Sequence, residues 1–490
     1  MSGRSNLQNS DVHAICAFAS WAELVRFMSI LILTAAGCTV GPKYTRPAIA
    51  QPANFKSQPS PDAAPLIAPE WWLLYSDSVL DQLIASAHAS NQSIQQSVAA
   101  VDQARAVARI ARSYLYPSLS FNPAFVRELY SGNRRSTFTD QTVPGPVTLN
   151  DWLAPIDLTY ELDIWGRIRR SLEVAKAQEG ATADQLALVR LTIETDVAQF
   201  YFTLRSLDAQ SVILTQTVAA YGEQVRLLSS QLNSGLVSPI VLRQAQAQLE
   251  ATVAQQQDIV RARADEEHAL SILCGQPAAS FAVASNPLYE ASPPAVPPGL
   301  PAQLLVRRPD VAAAEQNVVA ANAQIGVAKA QLYPTFTLTS FAGFESNDIS
   351  SLSNWRSAVA AVAPAVSAPI FEGGRLKANV KAAEAAYRET VAAYINQVFV
   401  AYGDVEDALS DLHAFSDEVL SLREAVTASE SYLQLANSQY RSGLVDYLTV
   451  IDAERTLLAN QLTLVQTVNL HVGASIHLIK ALGGGWEKQP

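Results

Sequence analysis

The sequence predicts a mainly α-helical protein that also lends strands to a membrane β-barrel, closed only when several copies associate. Three observations predict this. One structural unit is written twice along the 490 residues. Each copy carries an apolar heptad seam too long for a compact globule. Between helical stretches the hydrophobic period switches to two, in four segments of the chain. Because sealing a cylinder takes about eight strands, four per chain make oligomerisation obligatory.

Composition narrows the function classes. Hydrophobic residues make up 49% and charged residues 16%, and that charge content is below the roughly 25% of an average soluble protein. The net charge of -11 excludes nucleic acid as a partner, since phosphate binding needs a basic surface. Only Cys16, Cys38 and Cys274 are present, so no disulfide framework is expected. The histidines are scattered, and His471 and His477 do not share a helix face. With no nucleophile elbow, phosphate loop or metal-ligand cluster, neither a catalytic, a metal nor a cofactor site is expected, and the chain reads as a non-enzyme. Gly373-Gly374-Arg375 reads as a strand-to-helix bend.

Residues 1–37 form a leader. Its apolar core, 27–36 (FMSILILTAA), follows Arg26 and has signal-peptide rather than membrane-span length. Gly37-Cys38 ends it, with Ala35 where a lipoprotein box usually has Leu. Two readings stand from these residues: a thiol lipidated as the first mature residue, or a leader that merely contains a cysteine. No later stretch reads as a transmembrane helix. The most apolar, 358–371, is broken by Pro364 and Pro369, so any membrane crossing must use strands.

The rest divides into an N-terminal segment 38–75, a first repeat 76–275, a proline-rich linker 276–308, a second repeat 309–482 and a tail 483–490. Segment 234–249 (SGLVSPIVLRQAQAQL) matches 442–457 (SGLVDYLTVIDAERTL) at an offset of 208, as does Gly166-Arg167-Ile168 with Gly374-Arg375-Leu376. Tyr116-Pro117 pairs with Tyr333-Pro334 at 217, so the first copy holds nine extra residues in between. Leu204, Leu207, Leu214, Val218, Tyr221, Val225, Leu228 and Leu232 form one seam, and Leu412, Phe415, Val419, Leu422, Val426, Leu433, Ala436 and Tyr440 its counterpart. A helix over 167–233 spans 67 residues, about 100 Å at 1.5 Å per residue. It ends at Asn233-Ser234-Gly235, and a second helix starts after Ser238-Pro239.

Strands are expected around Ile156, Leu158, Tyr160 and Leu162; around Phe336, Leu338 and Phe344; around Leu119, Phe121 and Phe125; and over 362–371. Polar loops are expected over 127–151 and 345–354. One apolar and one polar face suit a barrel with lipid outside and water within.

Cys38-Thr39-Val40-Gly41-Pro42-Lys43-Tyr44-Thr45-Arg46-Pro47, Arg307-Arg308-Pro309-Asp310, Ala313-Ala314-Glu315 and Ile325-Gly326 before Tyr333-Pro334 resemble the outer-membrane factor family. These are the TolC-like exit ducts of tripartite pumps, and the similarity is to the NodT-type efflux lipoproteins. The resemblance covers nearly everything after Cys38. It implies a homotrimer with four strands per protomer in a twelve-stranded barrel, continued by an α-helical coiled-coil tunnel through the periplasm. Implied too are lipidation of Cys38 in the outer membrane, a periplasmic adaptor, an inner-membrane transporter of the proton-driven RND class, and a cargo of drugs, dyes, metals or other toxic small molecules.

Leu448, Asp452 and Arg455 share one face of the helix that follows the second turn. In similar channels the matching positions close the periplasmic aperture with a leucine plug and a polar ring. By residue type alone, Asp452 and Arg455 read equally as a solvated pair worth a few tenths of a kcal/mol. The first copy has Ile240, Gln244 and Ala247 instead. Leu236, Val237, Leu444 and Val445 at the two turns read either as adaptor contacts or as packing. Competing with an efflux duct are an outer-membrane duct for type I protein secretion and a lipid-anchored periplasmic coiled-coil scaffold without a pore.

Overall fold

The computed structural model describes residues 39–50, 52, 54–56, 67–131, 146–288, 293–296 and 307–486. The leader, Cys38, the loop residues 132–145, parts of the linker and residues 487–490 lie outside them.

The duplication recurs in the long helical hairpin, in the helix that precedes the strands and in two strand ribbons per copy, while the first copy has one further helix and a broken first ribbon. Helices α1 (Ser78–Ser90) and α2 (Gln92–Ser113) lead into strands β1 (Ser118–Phe121), β2 (Ala124–Tyr130) and β3 (Val147–Leu162), then the hairpin of α3 (Arg167–Asn233) and α4 (Pro239–Leu273). The second copy has α5 (Pro309–Ala330), β4 (Thr335–Ser346), β5 (Ala358–Ser367), α6 (Arg375–Arg441) and α7 (Tyr447–Ala481). Helices α3 and α6 are each 67 residues, and α4 and α7 each 35.

Local chemistry sets the ends. Ser238 caps α4 by accepting from the Ile240 N–H, with Pro239 in the first turn, where a missing N–H costs nothing. Asp446 does the same for α7, accepting from the Thr449 N–H. Gly235 and Gly443 end α3 and α6 at φ +70° and +67°. The N–H of Leu236 reaches back to Gln231 O and that of Leu444 to Gln439 O, each at 2.9 Å, which is the Schellman closure.

The described residues form two compact units, each gathered from three stretches: those within 39–46, 104–179 and 317–391, and those within 47–103, 180–316 and 392–486. In the first, all strands make one antiparallel sheet in the order β1-β3-β4-β5, with β2 also on β3. Strands β1 and β2 keep one register against β3, from Ser118↔Thr159 through Tyr130↔Val147. They are a single ribbon interrupted at Asn122-Pro123, where Pro123 and Pro155, which stands opposite Asn122, both lack an N–H. Four ribbons therefore stand, with altered extents. Pairing carries the strands into the expected 127–151 loop, and the last strand is Ala358–Ser367 rather than 362–371. Alternation marks only the half-apolar middle of a ribbon, whereas backbone pairing continues beyond it.

The first motif fragment, over its residues 39–46, meets the Ile325-Gly326 fragment in this unit. Val40 N–H donates to Trp165 O at 3.0 Å. Arg170 and Asn322 side chains donate to Pro42 O at 3.1 and 3.2 Å. Gly41, at φ +109°, lies so close to Gly326 that a Cβ would stand 2.6 Å from its Cα.

In the second unit, Trp71, Leu80, Ile84, Tyr201, Leu204, Leu270 and Ile476 form the main core. Helix α7 is long and apolar enough to cross a membrane by length and composition. That corrects the expectation that no such helix exists. Its apolar surface is consumed by packing, since most of its apolar stretch is buried in the protein. The heptad seam of α3 is largely covered, with Leu204 and Leu214 fully buried. Its α6 counterpart is more open, with Val419 and Ala436 buried but Leu412 and Leu422 only half so.

Candidate functional site

Register assigns every sheet side chain to one of two faces. Leu119 and Phe121 stand opposite Leu158 and Ile156, and Tyr160 and Leu162 opposite Leu338 and Phe336, which in turn face Pro364 and Val366. Together with Phe125 opposite Trp152, these make one apolar face. The other carries Ser120, Asp157, Thr159, Glu161, Thr337 and Thr339. All five carboxylates of the strands (Glu128, Asp151, Asp157, Glu161 and Glu345) share this polar face with no basic residue. Among the described residues only Glu161 has a basic partner, Arg167, at 2.7 Å. Asp157 accepts from Asn122 Nδ2 at 2.9 Å. Such a sheet can line a water-filled wall.

The helical tip is the second candidate. Leu228 and Val225 of α3, Ala245, Val241 and Leu242 of α4, Ala436, Leu433 and Tyr440 of α6, and Tyr447, Val450, Ile451 and Ala453 of α7 pack into one apolar cluster. It ties both hairpins together just behind the turns. Leu236 and Leu444 project into solvent, 74% and 75% exposed, while Val237 and Val445 are half covered. The four turn residues thus split by position, the leucines free for contact and the valines partly used in packing.

On α7, the side turned from this cluster presents Leu448, 55% exposed, with Asp452 and Arg455 also exposed. Ile240, Gln244 and Ala247 present the equivalent face of α4. Among the described residues no ion pair joins Asp452 to Arg455. Asp452 instead accepts from Tyr432 Oη across the hairpin at 3.2 Å. Tyr432 has no counterpart in the first copy, where Gln224 stands at the same offset, so the duplication offered no signal for it.

Sequence reasoning also missed Glu454. It lies on the packed side of α7, near the Tyr221 and Tyr447 phenols, and burial raises its carboxyl from 4.5 to about 7. The packed tip therefore holds a proton that a solvated Glu454 would release. Packing is favoured in acid and loses that advantage as pH rises from 4.5 through about 7. Hydrogen exchange of the α6–α7 hairpin, corrected for intrinsic rates, should quicken between pH 5 and 8 in the native protein and stay level in Glu454→Gln.

No group of three or more His, Cys, Asp or Glu able to hold a metal occurs among the described residues. Cys274 is buried beside Leu83 O, and burial pushes its thiol up to about 11, which leaves it inert.

Known proteins share this architecture. The family model described as outer membrane efflux protein matches residues 83–276 and 300–484. The solvent efflux pump outer membrane protein SrpC of Pseudomonas putida is 31% identical over 462 residues, 93% of this chain and 97% of that protein. The cation efflux system protein CusC of Escherichia coli O6:H1 is 30% identical over 476 residues, 95% of this chain and 99% of that one. The solved outer-membrane channel OprN superimposes with a TM-score of 0.85 at 27% identity, covering 92% of this chain and all of that one. Its relatives are efflux components, which displaces the scaffold and secretion-duct readings. The two-faced sheet, the paired long hairpins and this likeness over nearly the whole length place the chain in the outer membrane efflux protein family, as a TolC-like outer-membrane channel of an efflux pump and not an enzyme.

Proposed function

We propose that three copies close one twelve-stranded barrel and a helical tunnel, and that this duct passively releases toxic small molecules delivered by an RND-class inner-membrane transporter through a periplasmic adaptor. The observation that carries it is the sheet: four ribbons, two free edges (β1/β2 and β5), one apolar face and one acidic face. Free edges demand partners, and a barrel is the closed form lipid permits. The exposed Leu236 and Leu444 are the adaptor contacts. Cargo is set by the transporter; the relatives' names indicate solvents for SrpC and cations for CusC.

Lipid anchoring at Cys38 fits the same frame. Thr39 packs on Gly166 and Val40 is bonded to Trp165, three residues past β3. Trp165 stacks on Tyr333 with ring centroids 4.7 Å apart, an aromatic pair suited to a membrane interface. Thr39 and Val40, the first described residues, thus sit beside the end of β3.

Outer-membrane fractions should yield a heat-modifiable trimer that incorporates labelled palmitate, with labelling lost in Cys38→Ser. Deleting the gene should sensitise cells to part of a panel of antibiotics, dyes, solvents and metals. A monomer without β-structure in lipid would overturn the reading. The acidic face predicts a further property. In a KCl gradient the reversal potential should show roughly several-fold preference for K⁺ over Cl⁻, as acidic rings impose elsewhere. Asp151→Asn with Asp157→Asn should bring the ratio towards one, and a selectivity unmoved by the substitutions would take the charge filter out of the strands.

A further inference from the structure

Arg127 is the one charged residue on the apolar face of the sheet. Its register partner on β3 is Asn150, and its neighbours along that face are Phe125, Trp152, Leu129 and Thr148. All strand carboxylates lie on the opposite face. Among the described residues Arg127 has no ion-pair partner. Assembly would bring none from the strands, because β1/β2 would pair with β5 of the next copy, and that strand (AVAAVAPAVS) has no charged side chain.

Its height in the sheet is what matters. From Leu162 to Trp152 the apolar face of β3 runs ten residue steps, about 33 Å along the strand at ~3.3 Å each. A tilt of ~40° turns that into about 25 Å, the height of a barrel's lipid-facing band. The band ends at Phe125 and Trp152, whose rings lie 4.4 Å apart; just past its other end Trp165 stacks on Tyr333. Arg127 stands one pleat beyond the Phe125–Trp152 pair, about 5 Å higher by the same rise and tilt. That is the headgroup layer of the outer leaflet. A guanidinium is the side chain best shaped to bind a phosphate through two N–H groups at once, and the Asn150 amide beside it adds a neutral hydrogen-bonding group.

We infer that Arg127 and Asn150, above the Phe125–Trp152 aromatic step, bind a phosphate of an anionic outer-leaflet lipid, one site per protomer around the barrel. The inference rests on the barrel reading, with the apolar face towards lipid. It commits to a lipid-borne phosphate over the free anion, because the site's floor is aromatic and its surroundings are acyl chains.

The test uses the full mature channel, stripped of lipid in detergent and offered lipid A carrying both phosphates, the same lipid A without them, or inorganic phosphate. Native mass spectrometry counts retained lipid and thermal melting reads the shift. The phosphorylated lipid should be retained by the native trimer and raise its melting temperature. The dephosphorylated lipid should be held roughly tenfold less, as expected when a charge-assisted bidentate pair is lost, and inorganic phosphate should give no shift. Arg127→Gln should bind the two lipids alike, and Arg127→Lys should keep part of the preference. Both variants should still run as heat-modifiable trimers with native conductance, which separates lost binding from lost folding. Equal retention by the native protein and Arg127→Gln, or full competition by inorganic phosphate, overturns the inference while leaving the barrel intact. Failure of the native protein to form trimeric channels at all overturns both together.

Discussion

Alanine at both Asp452 and Arg455 should raise single-channel conductance in planar bilayers, as expected when a constriction loses the side chains that close it. The two side chains point away from the apolar cluster that Tyr447, Val450, Ile451 and Ala453 build on the other side of α7. Their removal therefore leaves the hairpin packed. Within one protomer the pair is unformed, and Asp452 is held by Tyr432 at 3.2 Å. Both charges are thus available to neighbouring copies around a three-fold axis. In the gate we propose, Leu448, one turn nearer the tip, is the apolar plug that keeps the aperture dry. Tyr432→Phe should give a smaller increase, since it frees Asp452 without discharging the ring. Unchanged conductance in the double variant would remove these residues from the gate.

Arg263→Met should strongly destabilise the second unit. Arg263 Nε donates to Asp208 Oδ1 at 2.7 Å, and its two Nη groups reach Glu267 Oε1 at 3.3 Å and Val283 O at 2.8 Å. The two carboxylates also accept the N–H groups of Asn286 and Val283. One guanidinium thereby fastens the 281–288 segment across α3 and α4. Methionine matches its stem but leaves the Asp208 side chain, 2% exposed, without its cation. Orphaning one half of a buried pair costs about 3–5 kcal/mol. Limited trypsin digestion of the folded trimer should then cut within the 276–308 linker well below the native melting temperature. A digestion pattern and melting curve identical to the native protein would show that the segment is held by its apolar contacts alone.

Helix ends were the best-read features of the chain. Ser238, Pro239, Asn233-Ser234-Gly235 and the 67-residue span of α3 stand where capping and heptad rules put them, because those rules act within a turn or two of one helix. The 208 and 217 offsets likewise recur as equal helix lengths in both halves. Strand extents were read less well. The β2 ribbon carries Glu128 and Arg127 into what looked like a polar loop, and only pairing with β3 shows that these neighbours point to opposite faces. Glu454 and Tyr432 looked like ordinary helix residues until the hairpins came together.

By itself, the chain determined what depends on near neighbours in sequence: helix length, caps, turns, the alternation of strands and the doubling of the unit. Tertiary structure alone decided what depends on partners far away. It put every strand carboxylate on one wall and Arg127 on the other, brought Gly41 against Gly326, and set Glu454 among tyrosines. The reason is physical: torsional preferences and periodic burial are short-ranged, whereas register, desolvation and charge pairing exist only once distant segments share a surface.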